Sequence, residues 1–206
     1  MKVFIFFLKI YFFCLCFSFT SCRNFSQPDA KSKMKSWQNQ DTILLGINDT
    51  FFLSNSSKIF KSTFFCVRHA EKSKAGTNDP HLNEVGKERA NTLSKVLEKV
   101  NVSDILSTQY NRTIQTAQPT ADSKGVTIQI YNPGDLNLLA STLVEKHQNE
   151  KVLIVGHSNT TPDLINAFSN SDDFKAIDED IYDNFYIVQI QHKGDPIIHL
   201  LSFNPY

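Results

Sequence analysis

The sequence predicts an α/β fold, a three-layer α/β/α sandwich around a mostly parallel sheet with antiparallel C-terminal strands. Three observations predict it. From residue 62 onward, runs rich in β-branched and aromatic residues alternate with stretches that carry a helical apolar stripe. The last two such runs flank the turn Lys193-Gly194-Asp195-Pro196 and should pair antiparallel. The 206 residues, with 41% hydrophobic and 20% charged side chains, suit one compact domain with extensions rather than a disordered or multi-domain chain.

Taken in order, Thr63 to Val67 is a strand that ends at Arg68-His69. The spacing of Ala90, Leu93, Leu97 and Val100 predicts a helix near 84–100, with Asn83 as N-cap. A short strand at Asp104 to Ser107 precedes a helical stretch from about Asn111, which Pro119 should interrupt. The strand Val126 to Tyr131 leads into a helix near 135–147. Lys151 to Val155 is the next strand and ends at Gly156-His157; Thr161 as N-cap, Pro162 in the first turn and Asp163 announce the helix that follows. The runs Phe185 to Ile190 and Ile197 to Phe203 complete the sheet. Ahead of all this, Ile43-Leu44-Leu45 and Phe51-Phe52-Leu53 predict a hairpin within 41–60, added to the sheet edge.

The N-terminus is of another kind. Lys2 precedes an apolar run from Val3 to Phe19, broken only by Lys9 and Ser18, and then Thr20, Ser21 and Cys22. This is the pattern of a signal peptide over 1–22: a charged start, an apolar middle and a small-residue processing site. An uncleaved membrane anchor is the alternative, but Lys9 would then sit inside the span. Phe19-Thr20-Ser21-Cys22 resembles a bacterial lipobox, in which the cysteine is acylated; Phe19 departs from the usual aliphatic residue. The expectation is an exported lipoprotein, anchored in a bacterial membrane through Cys22 and facing periplasm or cell surface, with simple secretion as the alternative. Residues 23–40 are polar and aperiodic, as a linker would be, and 41–206 form the folded domain.

Lys plus Arg equals Asp plus Glu at 21 each, so no global field favours nucleic acid and an anion site must be local. Six N-x-S/T sequons fall at Asn24, Asn48, Asn55, Asn101, Asn111 and Asn159 and are read as chance in a chain rich in Asn, Ser and Thr. The fold class locates the site, because ligands of parallel α/β sheets bind beyond the carboxyl ends of the strands. Arg68-His69 and Gly156-His157 end two strands, and Arg112 follows a third. Two arginines matched to phosphate oxygens, a helix N-terminus after Thr160 and a neutral imidazole able to attack phosphorus suit a phosphoryl group. The other histidines, His81, His147, His192 and His199, form no metal-ligand spacing, so neither metal nor cofactor is expected.

One rival reading is a serine hydrolase elbow at Gly156-His157-Ser158-Asn159-Thr160, with Ser158 as nucleophile and Asp180 with His192 or His199 completing a triad. It lacks the second glycine and leaves Arg68, His69 and Arg112 without purpose. Another is a lipoprotein that binds phosphate without turnover.

These residues carry a resemblance. Val67-Arg68-His69-Ala70-Glu71-Lys72 resembles the Arg-His-Gly/Ala signature of the histidine phosphatase superfamily, the phosphoglycerate mutase-like fold. Residues 79–90, 108–117 (TQYNRTIQTA) and 152–160 (VLIVGHSNT) resemble three further blocks of that family, and the likeness spans about 62–204. It implies that His69 is a nucleophile forming a phosphohistidine, and that Arg68, Arg112, His157 and Asn159 bind the phosphoryl group. It also implies a metal-independent, histidine acid phosphatase-like phosphomonoesterase acting on a small phosphorylated substrate. A mutase-type phosphotransferase is the alternative, disfavoured because the interval from Arg112 to His157 already holds a strand and a helix and leaves little chain to cover the pocket. For the acid that protonates the leaving group two carboxyl groups compete: Asp135, at the end of a strand where the family has its acidic residue, and Glu84, at the start of the first helix. Asp135 reads equally well as a helix N-cap.

Overall fold

The computed structural model describes residues 40–44, 50–54, 56–74 and 76–204. The segment 1–22 read as a signal peptide, with Cys22, and the stretch read as a linker up to residue 39 lie outside these residues. Among the described residues no helix is long and apolar enough to cross a membrane.

A six-stranded sheet forms the centre, in the order β5-β4-β6-β3-β7-β8. Its strands are β3 (Phe60–Arg68), β4 (Asp104–Ser107), β5 (Ile128–Ile130), β6 (Lys151–Gly156), β7 (Asn184–Gln191) and β8 (Ile197–Ser202). β5, β4, β6 and β3 run parallel, and β7 and β8 are added antiparallel. Connecting helices are α1 (Glu84–Val96), α2 (Asn111–Lys124), α3 (Leu136–Lys146) and α4 (Thr160–Ser169). The register sets Arg68 beside Gly156 and Ser107 beside both Val155 and Ile130, so the carboxyl ends of four parallel strands share one rim.

The period-2 alternation of β3 divides the core. Phe65 and Val67 point to one face and pack with Leu93, Val96 and Leu97 of the α1 region and Ala117 and Ala121 of α2. Phe64 and Cys66 point to the other and pack with Leu143 of α3 and Leu164, Ile165 and Phe168 of α4. Each fully buried Phe is worth about 1.5–3 kcal/mol over exposure. Cys66 is a free thiol inside this second layer, and burial pushes its pKa far up, so it is inert.

Asn83 caps α1 as its position predicts, accepting from the Gly86 N–H at 2.8 Å. Four details differ from the sequence reading. β1 (Gln40–Leu44) and β2 (Thr50–Ser54) form a hairpin, but as a sheet of their own. Ile43 and Leu53 are buried in the first core layer, Lys151 pairs with Asp41 at 3.1 Å, and Gln189 donates to the Ser54 carbonyl, so the hairpin lies on a face and not at an edge. Pro119 does not interrupt α2, which runs through it. A proline removes only the N–H that would serve the Gln115 carbonyl, and that turn is half-exposed. β5 is shorter than its apolar run. Finally, Thr161 is already inside α4, whose cap position is Asn159.

Candidate active site

An open cleft of about 370 Å³ lies on the shared rim, lined by His69, Lys72, Tyr110, Arg112, His157, Ser158, Asn159, Thr160 and Glu179, with Pro133 at one side. His69 follows the last residue of β3, and its backbone N–H donates to the Gly156 carbonyl at 2.9 Å, which ties it to the end of β6. It is only 3% exposed. Its Nδ1 lies 2.7 Å from the Ala70 carbonyl. A carbonyl only accepts, so Nδ1 carries the proton and Nε2 keeps the lone pair. Burial pushes the His69 pKa down to about 3, with Arg68, Arg112 and His157 repelling a second proton against the opposing pull of the Ala70 carbonyl. The imidazole is therefore neutral near pH 7, with its lone pair on Nε2.

Arg68 is 2% exposed and fastened on one side: Nη1 donates to the carbonyls of Asp178, Glu179 and Ile181 at 2.8, 3.0 and 3.0 Å. Nη2 donates to Glu179 Oε2 at 2.7 Å, and the guanidinium lies 4.3 Å from the Tyr182 ring centre. Arg112, in the first turn of α2, lies 4.4 Å from the Tyr110 ring centre, with Nη1 3.7 Å from Asp79 Oδ1. Asp79 also accepts from the Asn111 N–H at 2.8 Å, so a loop carboxylate supplies the start of α2 with the cap that Tyr110 cannot give. Arg68 Nε and Arg112 Nε and Nη1 are buried without a hydrogen-bond acceptor among the described residues. Buried guanidinium donors left unpaired are costly unless an anion answers them.

His157 is held by Thr108, whose Oγ1 lies 2.9 Å from Nε2 and continues to Thr113 at 3.0 Å. Burial, Arg112, Arg68 and Lys72 push its pKa down to about 4. Its ring centre is 5.5 Å from that of His69. Three side-chain hydroxyls crowd position 156, where a Cβ would lie 2.9 Å from Thr161 Oγ1 and 3.0 Å from Thr160 Oγ1 and Tyr131 Oη, so any residue but glycine would displace them. The His157 N–H donates to Thr160 Oγ1 at 3.0 Å, fixing the turn into α4. Asn159 lines the cleft at the mouth of that helix with no capping bond from its side chain, so its amide is available.

The structure thus brings Arg68, His69, Arg112, His157 and Asn159 to one rim, as the sequence reading places them. It does not bring Asp135 there. Its carboxylate accepts from the Leu138 N–H at 2.9 Å as the N-cap of α3, and the side chain is exposed outside the cleft lining. Glu84 pairs with Lys87 at 2.7 Å on the exposed side of α1. The serine triad does not form either: Ser158 Oγ donates to Glu179 at 2.8 Å, His192 bonds the Ser57 carbonyl, and His199 lies tilted against the Phe51 ring. Lys72, Thr108, Tyr110, Glu179 and Tyr182 complete the surroundings; the sequence reading gives none of them a role of its own, though Lys72, Thr108 and Tyr110 fall within its family-like blocks. Of these, Tyr110 and Thr108 adjoin Arg112 in the chain and carry a local signal.

The sequence pattern of the histidine phosphatase superfamily (branch 1) matches residues 64–132, which contain Arg68, His69 and Arg112. No curated protein matches the sequence. Among solved structures, the chain is similar to the protein histidine phosphatase SixA complexed with tungstate, at 17% identity and TM-score 0.59, covering 69% of this chain and 97% of that one. It is similar to Bacillus stearothermophilus YhfR at 19% identity and TM-score 0.52, covering 68% and 96%. A mycobacterial glucosyl-3-phosphoglycerate phosphatase matches at 14% identity and TM-score 0.53, covering 70% and 99%. At these identities the structures establish a shared fold, and the histidine phosphatase pattern extends over a third of the chain, from β3 through the Arg112 helix to the end of β5.

Proposed function

We propose that the protein is a phosphomonoesterase that works through a phosphohistidine on His69 and needs no metal. One observation carries the reading: a neutral, buried His69, its proton held at Nδ1, stands among guanidinium N–H groups that have no acceptor of their own. In the first step Nε2 forms a bond to phosphorus, the bond to the leaving oxygen breaks, and that oxygen takes a proton. In the second, water attacks phosphorus, the N–P electron pair returns to Nε2, and phosphate leaves with the proton lost to solvent. Arg68, Arg112, His157 and Asn159 stabilise the equatorial oxygens in both steps. The openness of the cleft to water favours hydrolysis over phosphotransfer. The phosphatase names borne by two structural neighbours agree with this activity.

The test is phosphate release from an aryl phosphate, with an alkaline quench to preserve a phosphohistidine for mass spectrometry. One phosphoryl group on the peptide carrying His69 is the expected result. Turnover with no such adduct, and undiminished in His69→Ala, overturns the mechanism.

We also propose that residues 1–22 export the chain and that Cys22 anchors it in a membrane. Each buried lipid methylene contributes about 0.8 kcal/mol, so several acyl chains hold firmly. Membrane-extracted protein whose N-terminus is unmodified, or lies beyond residue 22, contradicts this.

A further inference from the structure

The Nε and Nη2 groups of an arginine form the edge that grips two oxygens at once. On Arg68 that edge is divided. Nε is buried with no acceptor among the described residues, in a side chain 1% exposed. Nη2, at the other end, is taken by Glu179 Oε2 at 2.7 Å. The second oxygen of the same carboxylate accepts from Ser158 Oγ at 2.8 Å, at the entrance to α4. Glu179 is thus the one carboxylate among the described residues lining a cleft otherwise furnished with Arg112, Lys72 and two histidines.

The side chain and the main chain of Glu179 differ in how firmly they are held. The backbone is fastened by three carbonyl bonds to Arg68 Nη1 and by the Ile177 N–H donating to the Ser158 carbonyl at 2.8 Å. The side chain is 68% exposed, so a rotamer change returns it to water while the loop stays in place.

We propose that Glu179 is a built-in competitor for the phosphoryl site: its carboxylate holds groups that the phosphoryl oxygens need, and the substrate must displace it. This rests on the reading of the cleft as a phosphoryl site. Displacement weakens the binding of substrate and product alike. When the carboxylate swings back after hydrolysis, it takes Nη2 and the serine hydroxyl from the product phosphate. Glu179 therefore sets KM and limits product inhibition.

Inorganic phosphate is the probe, its affinity measured by calorimetry and by inhibition of aryl phosphate turnover. Glu179→Gln keeps the shape and can still accept from Arg68 Nη2 through its amide oxygen, with its amide N–H donating to Ser158 Oγ instead of accepting from it, but carries no charge. An ion pair with one exposed partner is worth up to about 1 kcal/mol, so Glu179→Gln and Glu179→Ala should each bind phosphate about three- to fivefold more tightly than wild type, with lower KM. If Glu179 serves only to hold Arg68 in place, Glu179→Gln matches wild type and Glu179→Ala binds more weakly, which overturns the proposal. Phosphate bound by wild type but no more tightly by Glu179→Gln defeats this proposal alone. Phosphate bound by none of the three proteins defeats the phosphoryl site with it.

Discussion

Two buried histidines stand at opposite ends of the same sheet. His69 follows the carboxyl end of β3 and His147 caps the C-terminus of α3, beside Asp104 at the amino end of β4. They are 3% and 2% exposed. His69 is surrounded by guanidinium groups and has one ring nitrogen free toward a cleft. His147 lies between carboxylates, with Nδ1 2.7 Å from Glu150 Oε2 and Nε2 3.5 Å from Asp104 Oδ2. Asp104 in turn accepts from Gln129 Nε2 at 2.7 Å and from the Ile105 N–H at 2.9 Å. Burial alone does not make a histidine catalytic. What separates the two is the sign of the surrounding charge, since His147 Nε2 also makes no hydrogen bond and is only 3.5 Å from a carboxylate oxygen.

The largest effect that tests this contrast is the loss of His69. His69→Ala should abolish phosphate release while the protein stays folded, because no other group has a lone pair in that position. Residual turnover above a few per cent of wild type, with the fold verified by circular dichroism, removes His69 as nucleophile. The converse substitution, His147→Ala, leaves Asp104 and Glu150 without the ring between them. It should cost about 2–3 kcal/mol in denaturant unfolding, with turnover per folded molecule unchanged. A deep loss of kcat in a stable His147→Ala protein would erase the distinction.

Acid sharpens the same comparison. Folded His69 stays neutral down to about pH 3, whereas in an unfolded chain it takes up a proton near pH 6.5. Between those values the unfolded state binds the proton and the folded state does not, so stability falls as pH falls. The slope from this one group is about 1.4 kcal/mol per pH unit. Unfolding free energies at pH 7 and pH 5 should differ less in His69→Ala than in wild type by an amount of that order. Equal differences in the two proteins would show that His69 titrates normally in the fold.

The residues gathered around His69 were legible because they sit at strand ends, where alternation, turn and crossover coincide: Arg68-His69, Gly156-His157, and Arg112 after Ser107. The division of β3 into Phe64/Cys66 and Phe65/Val67 was legible for the same reason. Glu179 and Tyr182 were not. Their segment between α4 and β7 has no periodicity, and Arg68 fixes it through backbone carbonyls 110 to 113 residues away, groups that every residue type offers. The two runs of the hairpin were visible, but its docking on a face depends on where α1 and α2 leave the sheet open, which no local pattern records. The partners of His147 lie at positions 104 and 150, and nothing in their spacing marks them as a cluster.

The smallest expected effect carries the contrast over to the acids. Asp135 lies on the rim side of the sheet, just after Pro133, which lines the cleft, yet its oxygen is engaged with the Leu138 N–H. Asn caps a helix about as well as Asp, so Asp135→Asn should change stability by only a few tenths of a kcal/mol. A residue that only caps should leave kcat on an alkyl phosphate within about twofold of wild type. A residue that protonates the leaving oxygen should lose about 10²-fold or more on that substrate and far less on a nitrophenyl ester, whose leaving group needs no proton. The geometry favours the first outcome. A large loss confined to the alkyl ester would mean that α3 gives up its cap during turnover and swings Asp135 inward, and the acid would then be a group that this structure holds in a purely structural bond.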